Sequence, residues 1–240
     1  MGATLYFNRL AQRVGAALSV PTAEGALYEV DTRLRPQGAQ GPLAVNVESF
    51  ARYQREDAWT WEHMALTRAR VLAGSDAARG DIEREIGEVL QRPRDPATLQ
   101  QDVLKMRGDM AANKPPRGPL DAKLLRGGLV DLEFLVHYLQ LRERTAFDPD
   151  LGAAVAGLVD AGLLDPAMQE AHDLLTRMLV ATRLLAPDLE QPAPAAARVL
   201  ARACGHESPA ALLQACATAR HGVAAQWRRH FASELEMDNE

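Results

Sequence analysis

Aromatic residues make up only 5% of this 240-residue chain. Ala and Leu abound instead, a balance that favours helix over sheet. Cysteine is scarcer still, with Cys204 and Cys216 alone. Their spacing matches no zinc motif, and a predicted helix break falls between them. They read as two reduced thiols of a cytoplasmic protein. No apolar run approaches the roughly 18 residues of a membrane span. The N-terminus has no basic segment leading into an apolar one, so no signal peptide is expected. Positive charge is not in excess either. The chain has 27 basic and 32 acidic residues and a formal net charge of −5, which gives no support to a nucleic-acid partner. What is present is ordinary for a globular protein: 47% hydrophobic and 25% charged residues. The length suits one large domain or two small ones. Arginine far outnumbers lysine, and arginine clusters suit phosphate.

Hydrophobic periodicity predicts helices over 4–19, 47–57, 59–72, 79–91, 96–112, 128–144, 150–161, 166–186, 195–203 and 208–236. Pro and Gly punctuate them at Gly74, Pro93, Pro115-Pro116, Gly118-Pro119, Pro149, Pro166 and 187–194. The last helix is expected to run into a frayed acidic tail, Glu234 to Glu240. One segment breaks the helical period. Over 26–35, Ala26, Tyr28, Val30 and Leu34 alternate with Leu27, Glu29, Asp31, Arg33 and Arg35. This predicts a strand with one apolar and one charged face. A lone strand makes no sheet, so either 43–47 pairs with it or its partner lies outside the chain. The expected fold class is mainly α with a small β element (α+β).

A carboxylate on a rigid strand is a good Mg²⁺ ligand. Asp31 therefore stands out, with Arg33 and Arg35 two and four residues on, able to hold phosphate. The plainer alternative is a solvated face whose charges pair with each other. Gly127-Gly128 opens a helix whose core stripe is Leu132, Leu135, Val136 and Leu139. Its polar edge is Glu133, His137 and Gln140. Asp131 in the first turn suits the helix dipole. Trp59 and Trp61 read as packing residues. His63 has no second ligand at i+3 or i+4 and makes no metal site. Arg68 and Arg70 cannot both share a helix face with Glu62, so at least one faces solvent.

Three ordered blocks carry a resemblance. They are Leu27-Tyr-Glu-Val-Asp-Thr-Arg-Leu-Arg-Pro36, Phe50 to Arg70 with its Ala-Trp-Thr-Trp-Glu-His core, and Asp121-Ala-Lys123 with Gly127-Gly-Leu-Val-Asp-Leu-Glu-Phe134. Together they resemble the glutamine synthetase adenylyltransferases. The Trp-Thr-Trp-Glu-His version is more similar to the adenylylating C-terminal half than to the deadenylylating N-terminal half.

The resemblance implies the C-terminal part of a nucleotidyltransferase domain over 1–75 and a helical domain over 76–240. It implies AMP transfer from ATP to a tyrosine of glutamine synthetase, with three carboxylates holding Mg²⁺. The PII signalling protein and glutamine would be further partners. On this basis Asp31 is the third metal carboxylate, and Arg33 and Arg35 hold phosphate or support the carboxylates. Lys123, Asp131 and Glu133 face the nucleotide. The first two carboxylates, in a Gly-Ser…Asp-x-Asp motif, have no match here. Gly74-Ser75-Asp76 and Asp148-Pro-Asp150 lack a strand to present them, so the chain is expected to begin inside the nucleotidyltransferase domain and to be inactive alone. Two other readings compete: the deadenylylating half, where phosphate releases ADP, and a non-catalytic helical module that binds glutamine synthetase, PII or glutamine.

Overall fold

The computed structural model describes residues 2–26 and 28–237. They form two compact units.

The first unit runs to Leu66 and takes in Arg70–Gln91. Helix α1 (Ala3–Ser19) is amphipathic as its spacing predicts, yet none of its residues is buried. Leu5, Phe7, Leu10, Val14 and Leu18 stay exposed. A two-residue hairpin follows, β1 (Pro21–Thr22) against β2 (Gly25–Ala26), antiparallel. Gly25, the first residue of β2, sits at φ +100°, a conformation a side chain would strain.

The strand expected over 26–35 does not form. Ala26 belongs to β2, Leu27 lies outside the described residues, and 28–33 carry no ladder. The alternation is real, but backbone N–H and C=O groups make a strand only with a partner edge. Nor does 43–47 supply one. Asn8 of α1 captures that segment instead: its side-chain Oδ1 accepts from Leu43 N (2.7 Å) and Ala44 N (3.2 Å).

Helices α2 (Val47–Glu56), α3 (Thr60–Leu66) and α4 (Asp76–Leu90) complete the unit. Asn46 caps α2 through Ser49 N and Ser75 caps α4 through Ala78 N. Gly74-Ser75-Asp76 is thus a helix start. Helix α3 stops at Leu66, six residues short of the expected end. Arg55 pairs with Glu85 of α4 at 2.9 Å. The first compact unit closes after α4, at Gln91.

The second unit comprises Thr67–Ala69 and everything from Arg92. Its helices are α5 (Pro96–Asn113), α6 (Leu129–Glu143), α7 (Leu151–Asp160), α8 (Ala167–Leu185), α9 (Pro194–Ala203) and α10 (Pro209–Phe231). Their starts follow the sequence signals. Asp95, Asp150 and Ser208 accept from Thr98, Ala153 and Ala211 N–H groups, and Pro stands in the first turn of α5, α9 and α10. Helix α6 is buried on nearly every side. The expected stripe Leu132, Leu135, Val136 and Leu139 is fully inside. His137 and Gln140, read as part of a polar edge, are buried too. Tyr138, Trp227 and Phe231 stack between α6 and α10.

Helix α10 ends five residues before its predicted end, at Ala232 in a left-handed cap. Leu235 then packs inside, so the tail is anchored there; Asp238–Glu240 lie outside the described residues. Cys204 and Cys216 are free thiols. Among the described residues no helix is long and apolar enough to cross a membrane.

Candidate nucleotide and phosphate sites

In the first unit, Asp31, Arg33 and Arg35 lie on the exposed segment after the hairpin. Arg33 holds Asp31 at close range: Nε lies 3.0 Å from both carboxylate oxygens and Nη2 2.6 Å from Oδ2. The Arg33 backbone N–H donates to Oδ1 as well, at 2.9 Å. These bonds to Arg33 lower the Asp31 pKa to about 2. Arg35 folds back on its own loop, donating to the carbonyls of Thr32 (2.6 Å), Gly41 (3.1 Å) and Ala39 (3.3 Å). Gly41 is required there, since a Cβ would stand 2.0 Å from the Pro36 carbonyl oxygen. The structure therefore brings Asp31 and Arg33 together and uses Arg35 to close the loop.

In the second unit, a turn over 117–128 leads into α6. Asp121 is buried and orders it, accepting from the N–H groups of Lys123 (3.2 Å), Leu124 (3.0 Å) and Arg117 (3.2 Å). Gly127 lies at φ +74°, with the Arg220 carbonyl oxygen 2.2 Å from where a Cβ would be. Asp131, in the first turn of α6, is wholly buried. It accepts from Arg107 Nε (2.6 Å) and Gly127 N (2.7 Å). Asp131 thus ties the glycine turn to α5 inside the unit, with its carboxylate held away from solvent.

Lys123 and Glu133 meet at a cavity of about 220 Å³, whose walls also include Arg68, His137, Asp148 and Thr176. Glu133 pairs with Arg68. Burial pushes its pKa up, but its neighbours His137, Arg68 and Lys123 outweigh this and leave it lowered. His137 Nδ1 lies 2.8 Å from Thr67 Oγ1 and 3.0 Å from Gln140 Oε1. Its Nε2 is buried with no hydrogen-bond partner, 3.7 Å from Glu133 Oε1.

The sequence reading missed Arg68 and His137 as site residues. The i,i+4 spacing of Glu133 and His137 was a usable signal. Nothing local marks Arg68 or Arg107. Trp59 is 70% exposed and Trp61 38%, so the packing expected of Trp59 is not observed. Glu62 explains why: it bonds Tyr53 Oη (2.9 Å) and reaches back to Trp59 N (2.9 Å), capping α3 and leaving the indole outside. Arg68 and Arg70 both face solvent, beyond the end of α3. His63 Nε2 lies 3.0 Å from the Gln54 carbonyl. Asp148-Pro-Asp150 is the capped turn before α7, as its context suggested. Among the described residues no three His, Cys, Asp or Glu side chains cluster as metal ligands.

Comparisons with known proteins relate the chain to one family. Residues 1–85 match the family model of glutamate-ammonia ligase adenylyltransferase. The chain is related over most of its length to the bifunctional glutamine synthetase adenylyltransferase/adenylyl-removing enzymes. It is 46% identical to that of Brucella suis biovar 1 (strain 1330) over 209 residues, 83% of this chain and 21% of the relative. It is 47% identical to that of Rhizobium meliloti (strain 1021) over 189 residues, 75% of this chain and 19% of the relative. Against the Agrobacterium fabrum (strain C58 / ATCC 33970) protein the figures are 53% over 136 residues, 57% and 14%. The chain thus spans about a fifth of the length of the curated relatives it matches.

Proposed function

We propose that this chain serves the adenylylating half of such an enzyme, in which AMP passes from ATP to a tyrosine hydroxyl of glutamine synthetase in the cytoplasm. The observation that carries this is the 46% identity over 209 residues, in a chain whose Ala58-Trp-Thr-Trp-Glu-His63 block resembles the adenylylating half. In this reading Lys123 binds phosphate and Glu133 orients it. Arg33 keeps Asp31 ionised, and Arg35 fixes the loop that carries it. Asp131 acts through the glycine turn, as a positioning residue. PII protein and glutamine are the expected regulators.

The reaction calls for Mg²⁺ with ATP. Asp31 offers one carboxylate, already tied to Arg33, and no cluster of further ligands stands among the described residues. Those residues do not make up a magnesium centre, and two-metal transfer needs more carboxylate than one Asp supplies. The chain alone is therefore inactive in this reading. Incubation of the purified chain with Mg²⁺, labelled ATP and glutamine synthetase should leave the acceptor unlabelled. AMP on its tyrosine would overturn the inactivity. Labelling restored by adding a polypeptide that carries the Gly-Ser…Asp-x-Asp motif, and abolished by Asp31→Asn, would support the assignment.

A further inference from the structure

The cavity beside α6 has a hydrogen-bonding pattern that the unit itself leaves incomplete. The Ala146 carbonyl can only accept, so Gln140 Nε2, 2.7 Å away, donates to it. That turns Gln140 Oε1 toward His137 Nδ1, which must carry its proton to donate across 3.0 Å. In that tautomer Nε2 carries a bare lone pair. It is buried and has no hydrogen-bond partner. Glu133 Oε1 stands 3.7 Å off, too far for a hydrogen bond between them. Two acceptors therefore face one gap. The Glu133 carboxylate also pairs with Arg68. Lys123 lines the same cavity and is exposed. Asp148 lines it too, with Oδ1 taken by the Asp150 N–H. A ligand that completes this arrangement needs hydrogen-bond donors and negative charge in one small body. The cavity, at about 220 Å³, exceeds several times a water's ~30 Å³ share but falls below the ~300 Å³ of ordinary ligand pockets.

We propose that this cavity binds a phosphoryl group that keeps a proton, its one P–OH shared between Glu133 and His137 Nε2 while Lys123 and Arg68 hold the unprotonated oxygens. The proposal rests on the reading that Lys123 and Glu133 face a phosphate, and adds Arg68, His137 and the protonation state. The group is free inorganic phosphate or the end of a nucleotide's phosphate chain. Sulfate has the same shape and charge but no proton at neutral pH, so it would set oxygen lone pairs against two buried acceptors.

Calorimetric titration of the intact chain at pH 7 with inorganic phosphate, sulfate and ATP separately tests this. Saturable phosphate binding with sulfate at least about tenfold weaker is the expected result. Glu133→Gln, whose amide can donate, should erase the discrimination by admitting sulfate. If that variant does not fold, the ¹⁵N resonance of His137 Nε2 in the unaltered chain replaces it: phosphate should shift it and sulfate should not. Equal binding of the two anions, or no phosphate binding, overturns the proposal. ATP binding without phosphate binding overturns it while sparing the adenylyltransferase reading. Phosphate binding without ATP binding supports it and counts against that reading.

Discussion

Asp31 keeps its negative charge because a single neighbour two residues away surrounds it. Arg33 supplies side-chain and backbone donors together, and bidentate contact of this kind is the strong form of the ion pair. The sign of the effect is fixed. A lowered carboxylate pKa means the pairing is present above the usual value of 3.8 and is lost as pH falls through about 2. A ¹³C titration of the Asp31 carboxyl should show a midpoint near 2, and Arg33→Ala should return it toward 3.8. An unmoved midpoint would show that Arg33 does not hold the carboxylate in solution. Two exposed groups make a local matter of this, with little bearing on stability. At this scale the sequence was informative where partners are near neighbours. Asp31 and Arg33 are two residues apart. Arg68 comes from 65 residues before Glu133 and no spacing rule reaches it.

Among the elements, the junction of α5, the glycine turn and α6 is the most constrained. Asp131 and Arg107 form a pair with side-chain exposures of 0% and 4%. Removing one partner of such a pair strands a buried charge, at a cost of about 3–5 kcal/mol. Asp131→Ala should lower the unfolding free energy by that amount, read from a chemical unfolding curve as a lower midpoint at unchanged slope. Arg107→Ala combined with Asp131→Ala should cost less than the sum of the two single changes. Additive losses would mean the residues do not act as a pair. The junction shows what could be read in advance. The Gly-Gly turn, the helix start and the acidic first turn are local signals, and all appear. That Asp131 points inward to Arg107 depends on how α5 packs, which no local rule supplies.

Across the molecule, the two units differ in how much they bury. Helix α1 buries no residue, and α2 and α3 contribute Ala51, Gln54, Glu62 and Met64. Helix α6 alone buries eleven consecutive or near-consecutive positions between Leu129 and Leu141. Local opening is cheapest where few apolar contacts hold an element. Hydrogen exchange under native conditions should therefore find α1 amides among the fastest helical amides and α6 amides among the slowest. Slow exchange in α1, matching α6, would show that its exposed apolar face is covered in solution.

The sequence by itself determined the helical character of the chain, most helix starts and stops, and the resemblance that the relatives bear out. Those follow from periodicity, caps and breakers, which act over a few residues. The tertiary structure decided three things. The alternating segment after the hairpin is no strand, because strand formation requires a neighbouring edge. Asp131 faces the interior, because α5 brings Arg107 to it. Lys123 and Glu133 share a cavity with Arg68 and a buried, unpartnered His137 nitrogen, because packing brings together side chains from distant parts of the sequence.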